Sequence, residues 1–140
     1  FSYYHLELYD EAIDIFNQYF IKNNNDLTAA YLMGVSYFKV KKYKSALYYL
    51  DLANNNSDSE ILHYLGASYY ELENYSKAIR AFKKSLIINP KNEYTIYALG
   101  QAYIESDNKR DSKRQLKALL NLNRELFELL KVSFDAKFGD

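Results

Sequence analysis

The stretch that decides the fold spans residues 59–90 and reads SEILHYLGASYYELENYSKAIRAFKKSLIINP. Its apolar and small residues recur at steps of three and four, as Leu62, Leu65, Gly66 and Tyr69 in the first half and as Tyr75, Ala78, Ile79 and Phe82 in the second. This spacing places each set on one face of an α-helix. Glu73 and Asn74 separate the two sets, and Pro90 follows the second. The stretch therefore predicts a helical hairpin in which Gly66 and Ala78 meet and let the two helices approach closely.

The same pattern returns before and after this hairpin. Gly34, Gly66 and Gly100 stand 32 and 34 residues apart, and each follows a large apolar residue and precedes a tyrosine by three positions. A second series, spaced 34 and 32 residues apart, consists of alanines followed four residues later by a large apolar side chain: Ala12, Ala46 and Ala78. Neither helix of such a unit buries its apolar stripe without its partner and the next unit. The chain is therefore predicted to be a stack of helical hairpins.

These residues resemble the tetratricopeptide repeat, whose pattern is W-x2-L-G-x2-Y, then A-x3-F, then P. The third unit matches this pattern as Leu62-x2-Leu65-Gly66-x2-Tyr69, then Ala78-x3-Phe82, then Pro90, and tryptophan is absent from the chain. The resemblance covers nearly all of residues 1–124. It implies an all-α, right-handed superhelical solenoid of antiparallel helix hairpins with a C-terminal capping helix.

The resemblance divides this single domain into segments. They are a partial first repeat at 1–26, a second repeat at 27–58, a third at 59–92, a fourth at 93–124 and a capping helix at 125–138. The fourth repeat is divergent because Ser112 and Leu116 replace the alanine and phenylalanine of its second helix. Residue 1 falls in the middle of a first helix, so we expect the chain to be a piece of a longer protein.

The C-terminal segment lacks the small residue that a further hairpin needs. Ser133 and Phe134 stand where the next pair of a large apolar residue and glycine would fall. Because the end of a solenoid must be covered, residues 124–138 are predicted to form a cap. The side chains expected to turn inward are Leu126, Leu129, Leu130 and Phe134.

The composition excludes several kinds of catalytic site. The chain has no cysteine, which removes disulfides, thiolate nucleophiles and cysteine-ligated metals. No phosphate-binding glycine loop, G-x-S-x-G or H-E-x-x-H motif occurs, and His5 and His63 lie on different repeats without a nucleophile pattern nearby. Carboxylate pairs such as Asp10 with Asp14 are expected on solvated polar faces, which are poor surroundings for general acid–base catalysis. We therefore predict that the protein is not an enzyme and has no cofactor or metal.

The charge balance limits the kinds of partner. The 18 lysines and arginines oppose 18 aspartates and glutamates, so the formal net charge is zero and gives no global attraction to nucleic acid or anionic lipid. No apolar run approaches the roughly 18 residues that indicate a membrane-spanning helix. We predict a protein or peptide partner, no nucleic acid and no direct insertion into a membrane.

The resemblance implies a binding surface on the concave face, which the first helix of each hairpin forms in such arrays. The candidate peptide-binding residues are Tyr31, Val35, Phe38 and Lys39 in the second unit, His63, Ala67, Tyr70 and Glu71 in the third, and Tyr94, Tyr97, Gln101 and Ile104 in the fourth. The same face also carries Thr28, Glu60 and Glu105, and Phe1 and Tyr4 would extend it from the first unit. His63 is expected to be exposed in this groove.

Two interpretations compete for the aromatic residues of this face. Tyrosine and phenylalanine could simply pack between neighbouring hairpins, because both are large and tyrosine is amphipathic. Alternatively they anchor a partner, since aromatic side chains offer large, rigid contact area at low entropy cost. The row as a whole favours a groove for an apolar or amphipathic peptide. The clamp of Lys, Asn and Arg with which some tetratricopeptide repeats hold a C-terminal carboxylate is not present, so such a ligand is disfavoured.

The function predicted from these patterns is a non-enzymatic adaptor or scaffold that holds a peptide segment of another protein. Rigid helices preorganise the groove, so little receptor entropy is lost on docking. The alternative is a structural or regulatory module that positions a catalytic or membrane domain of the same longer protein.

Charge is segregated between the two ends of the repeat array. Lys109, Arg110, Lys113, Arg114 and Lys117 recur in the second helix of the fourth unit, whereas Asp10, Glu11 and Asp14 mark the corresponding helix of the first. Such runs are usually solvated faces. The alternatives are a docking patch for an acidic partner, head-to-tail self-association, or nucleic-acid contact, which the zero net charge disfavours.

Self-association through these ends is expected to be weak and sensitive to salt. Exposed ion pairs contribute about 0–1 kcal/mol each, and salt screens them. Sedimentation at low and high salt should therefore show a dimer that dissociates as salt rises. A dimer that persists at high salt would instead indicate contact through the apolar edge at Phe1 and Tyr4, and a monomer in both conditions would rule out self-association.

Overall fold

The computed structural model describes residues 3–22 and 26–139, and these residues form eight α-helices without a strand. The helices are α1 (Tyr3–Lys22), α2 (Leu27–Lys39), α3 (Tyr43–Ala53), α4 (Ser59–Glu71), α5 (Tyr75–Ile88), α6 (Glu93–Glu105), α7 (Lys109–Leu122) and α8 (Arg124–Phe138). The predicted all-α solenoid of hairpins with a C-terminal cap is confirmed. Within these two ranges, no helix combines the length and the hydrophobicity needed to cross a lipid bilayer.

Aspartate and asparagine side chains start most of the helices. Asp58 Oδ1 accepts hydrogen bonds from the backbone N–H groups of Glu60 and Ile61 at 2.9 and 3.4 Å. The same role at five further helix starts belongs to Asp26, Asn74, Asn92, Asn108 and Asn123. Such caps satisfy backbone donors that have no partner within the helix. The polar residues between the apolar stretches therefore define where these six helices begin.

The turn inside each hairpin has one repeated geometry. In the third unit, Glu73 adopts a φ of 62°, and the Asn74 N–H donates to the carbonyl of Tyr69 at 2.9 Å. Lys41 and Asp107 occupy the equivalent left-handed positions, with φ of 66° and 61°. This arrangement closes the end of the first helix and reverses the chain. All three hairpins are consequently closed in the same way.

The helices stack so that the first helix of each hairpin lies on the inner side of a curve. Each hairpin pairs neighbouring helices, α2 with α3, α4 with α5 and α6 with α7. Cα atoms of α2 approach those of α4 within 8 Å, and α4 approaches α6 in the same way. No such approach joins α3 to α5 or α5 to α7 in the described ranges. Because the first helices lie closer together than the second ones, α2, α4 and α6 form the concave face.

The close contact at Gly66 involves Phe82 and not Ala78, which corrects the sequence-based pairing. A Cβ atom on Gly66 would lie 2.6 Å from both Cδ1 and Cε1 of Phe82. Ala78 is fully buried in the same cluster as Phe82, where it packs with Leu99 and other side chains of the next hairpin. The glycine thus makes room for an aromatic ring within the hairpin, and the alanine makes room for the following hairpin.

The capping helix α8 packs on Gly100. A Cβ atom there would lie 2.5 Å from Cδ2 of Leu130, whereas the earlier glycines face the second helix of their own hairpin. Leu130 and Phe134 are buried as predicted, with Leu126 partly buried beside them. The prediction for Leu129 is wrong, since this side chain is 55% exposed. One residue along a helix is a rotation of about 100°, so Leu129 points away from the stripe through Leu130.

Gly66→Leu should reduce the free energy of unfolding by about 1–3 kcal/mol or more, because the added side chain overpacks the contact with Phe82. A far-UV circular dichroism melt or urea titration measures the change. Ser76→Leu introduces the same side chain on the exposed surface of α5 and is the matched control, expected within about 0.5 kcal/mol of wild type. Equal stabilities for the two variants would contradict the close approach of α4 and α5.

Candidate functional site

Part of the predicted peptide-binding set converges on a cavity between α4, α5 and α6. The cavity has a volume of about 220 Å³, and we call it the α4–α6 cavity. Its lining consists of Ala67, Tyr70, Glu71, Phe82, Tyr97, Ala98 and Gln101. Five of these seven were predicted from the sequence. Phe82 and Ala98 were not, because the first was assigned to the core and the second lies beside the predicted stripe.

The aromatic walls of this cavity are held in place by contacts on both sides. The Tyr70 ring packs edge-on against Tyr75, with ring centroids 5.5 Å apart. Gln101 Nε2 donates to the Tyr97 hydroxyl at 2.8 Å and to Ser133 Oγ of α8 at 3.4 Å. The capping helix therefore helps to position a cavity residue, which sequence spacing within α6 does not indicate.

The surroundings of Tyr70 are apolar and negatively charged. Burial raises the pKa of its phenol to about 12, with smaller contributions from Glu105, Tyr75, Glu71 and Tyr97. The hydroxyl therefore stays protonated at neutral pH. Glu71 and Glu105 are exposed at the edge of this region and are the last residues of α4 and α6.

The predicted residues of α2 lie away from this cavity and pack towards α4. Phe38 stacks edge-on against Tyr64 at 5.4 Å, and the Nζ atom of Lys39 lies 5.8 Å from the centre of the same ring. Val35 and Tyr31 are partly buried against the core that joins the second and third hairpins. These contacts support the interpretation that the residues of α2 pack between neighbouring hairpins.

Tyr31 also lines a second cavity of about 220 Å³ at the end of the second hairpin, together with Leu27, Thr28, Ala53, Asn55, Asp58 and Ile61. Burial raises the pKa of the Tyr31 phenol, and the Glu60 carboxylate adds to the shift. The predicted groove is therefore divided into separate depressions, one beside α2 and one beside α6.

His63 is not the exposed groove residue that the sequence predicted. It is partly buried between α4 and α6, where its Nδ1 lies 2.9 Å from Oγ1 of Thr95, a fully buried residue. Its ring also lies 5.6 Å from that of Phe82. Burial lowers the pKa of the imidazole, an effect that Glu60 opposes and Lys39 reinforces. His63 thus links two hairpins.

The predicted groove ends before Ile104. This side chain is only 3% exposed because it packs in a cluster with Leu130 and Phe134 of α8, so its assignment to the groove is wrong. Tyr94 is 65% exposed at the start of α6 and is not part of the α4–α6 cavity lining. Phe1 lies outside the described residues, as do the side chains of Tyr4 and His5.

The basic run of α7 is a solvent-facing surface. Its five cationic residues, Lys109, Arg110, Lys113, Arg114 and Lys117, are exposed and line a shallow depression of about 540 Å³. Arg114 lies 3.4 Å from Asp111 on the same helix. Across the described part of the chain, no cluster of three or more His, Asp or Glu side chains is arranged to hold a metal ion.

Comparisons with known protein families agree with this architecture. Residues 59–92 match the family model described as tetratricopeptide repeat. Residues 2–53 match the model described as anaphase-promoting complex, cyclosome, subunit 3. These matches identify tetratricopeptide repeats in the chain. No curated protein sequence matches the chain.

Solved structures of similar fold cover most of the chain. A crystal structure of MamA aligns with a TM-score of 0.84 at 15% identity, covering 94% of this chain and 80% of that one. MamA 41-end from Desulfovibrio magneticus RS-1 aligns with a TM-score of 0.81 at 24% identity, covering 86% and 70%. A tetratricopeptide repeat protein from Parabacteroides merdae ATCC 43184 gives 0.73 at 19% identity, covering 94% and 60%. At these identities the likeness establishes the fold.

The partial burial of His63 predicts a loss of stability in mild acid. Its folded-state pKa lies below the ordinary value of 6.5, so the unfolded chain takes up the proton first as the pH falls. The contribution of His63 to stability is complete above pH 6.5 and is lost as the pH falls through the folded-state pKa. Urea titrations of wild type and His63→Gln across this range measure it.

The pH-dependent loss of stability should be smaller in His63→Gln than in wild type. His5→Gln provides the matched control for the other histidine of the chain. Identical pH profiles of stability for wild type and His63→Gln would contradict a lowered pKa of His63.

Proposed function

We propose that this chain is a non-enzymatic protein-interaction scaffold that binds an apolar or amphipathic peptide segment on its concave face. The tetratricopeptide repeat match at residues 59–92 supports the general role, because such solenoids use extended concave surfaces for binding. The observation that carries the peptide site is the α4–α6 cavity, with Tyr70 and Tyr97 in its walls. We assign the main contacts to these two rings, together with Ala67, Glu71 and Gln101.

The cavity suits a side chain of a partner better than a free small molecule. Its volume of about 220 Å³ is below the roughly 300–1,000 Å³ of typical small-molecule sites. Small residues, Ala67 and Ala98, leave space between the larger walls. A peptide lying along α4 and α6 would insert one anchoring side chain here and contact the exposed helix surface on either side.

The cavity walls are already ordered in the unbound chain. Tyr97 is held through Gln101, and Tyr70 rests against Tyr75. Binding therefore immobilises few receptor side chains, and less of the interaction energy is lost to ordering. A peptide partner is favoured over nucleic acid because Glu71 at the cavity would repel phosphate groups.

Tyr70→Ala and Tyr97→Ala should each weaken peptide binding by more than about 1 kcal/mol if the rings are anchors. The ligands are peptides selected from a random display library on the wild-type chain, and fluorescence anisotropy of the labelled peptides measures their affinity. Tyr48→Ala is the matched control, because this tyrosine is 61% exposed on α3, away from the concave face.

Circular dichroism melts of all three variants separate binding from folding. Selected peptides whose affinity is unchanged in the Tyr70→Ala/Tyr97→Ala double variant would exclude this cavity as the binding site. A library that yields no binder would contradict the proposed function as a whole.

A further inference from the structure

We infer that the peptide segment carries a lysine or arginine whose charged head enters the α4–α6 cavity region between Glu71 and Glu105. This inference rests on the proposed function and specifies the chemistry of the ligand. The predicted ligand is a basic, amphipathic segment, a more restricted class than the apolar or amphipathic segments of the proposed function. The observations that support it are the placement of the two carboxylates, their lack of internal partners and the character of the cavity walls.

The two carboxylates stand where a helix least favours negative charge. Glu71 ends α4 and Glu105 ends α6, and the C-terminal end of a helix carries a partial negative charge that disfavours an acidic side chain. The equivalent last residue of α2 is Lys39, a cation, which is the favourable choice. The third and fourth units therefore place negative charge beside the cavity at a cost to their own helices. A bound cation would offset that cost.

Within residues 3–22 and 26–139, no cation forms an ion pair with either of these two carboxylates. Among the described residues, neither Glu71 nor Glu105 has a lysine, arginine or histidine nitrogen within 4.0 Å. The nearby Asp107, two residues after Glu105, is in contrast paired with Lys137 of α8 at 3.1 Å. The capping helix thus neutralises the acid next to this site and leaves the two that flank the cavity available.

The cavity walls suit the two parts of a basic side chain. Lysine and arginine combine a long apolar stem with a charged head, and the stem can pack against Ala67, Phe82 and Ala98. The Tyr70 and Tyr97 rings offer faces that attract a cation. Nε2 of Gln101 is already engaged by Tyr97 and Ser133, which leaves its carbonyl oxygen as an acceptor. The cavity groups that remain for a ligand are therefore mainly aromatic rings and a carbonyl oxygen, which a cation prefers.

The test uses the peptides selected on the wild-type chain, so that binding is established before charge is examined. We expect these peptides to share a lysine or arginine next to apolar residues. Replacing this basic residue with glutamine in the peptide should weaken binding about tenfold, the effect expected for loss of a close charge pair. The Glu71→Gln/Glu105→Gln variant should weaken binding of the unaltered peptide by a similar factor.

A remote pair of acids provides a control for the overall change in charge. Glu11→Gln/Asp14→Asn removes two negative charges from exposed positions of α1 and should leave affinity within about twofold of wild type. A charge exchange provides the sharper test. Glu71→Lys should abolish binding of the basic peptide and should bind the same peptide better when its basic residue is replaced by glutamate.

The outcomes distinguish this inference from the proposed function. The inference is overturned, and the peptide site is kept, if the selected peptides require Tyr70 and Tyr97 but share no basic residue. The same conclusion follows if their affinity is unchanged in the Glu71→Gln/Glu105→Gln variant. Peptides that bind independently of both tyrosines overturn the proposed site and this inference together. Because both glutamates are exposed, circular dichroism melts should show their glutamine variants to be folded.

Discussion

The structure depends on the absence of a side chain at Gly66, which lets the Phe82 ring lie directly against α4. A single methyl group at this position would come within 2.6 Å of the ring, so the spacing of the hairpin is set by this contact. The same ring approaches His63 and lines the α4–α6 cavity. One glycine thus determines the position of an aromatic ring that serves the core, the junction with the next hairpin and the candidate site.

The architecture was predictable from the sequence because helical periodicity identifies buried faces directly. Periodicity did not identify which residues contact each other across each helix interface. Periodicity shows that Gly66 and Ala78 face other helices, but several residues of α5 lie on the same face, and the one that reaches Gly66 is Phe82. Gly100 is a stronger case, because its nearest neighbour is Leu130 of α8 instead of a residue in its own hairpin.

The candidate site was predictable only where no neighbouring helix covers it. Tyr70, Tyr97 and Gln101, which the resemblance assigns to one face, line the same cavity. Ile104 fits the same spacing but is buried by α8, and His63 is used to contact Thr95, 32 residues away. Spacing within one helix indicates the direction of a side chain and does not show what a distant segment places in front of it.

The pattern of contacts between helices also has a consequence for how the chain folds. In the described ranges, no helix approaches one more than two positions away in the sequence, the widest contacts being those of α2 with α4, α4 with α6 and α6 with α8. Chains dominated by such local contacts close only short loops and fold rapidly. Stability then accumulates hairpin by hairpin through nearest-neighbour interfaces. A disturbance in α2 consequently reaches α8 only through α4 and α6.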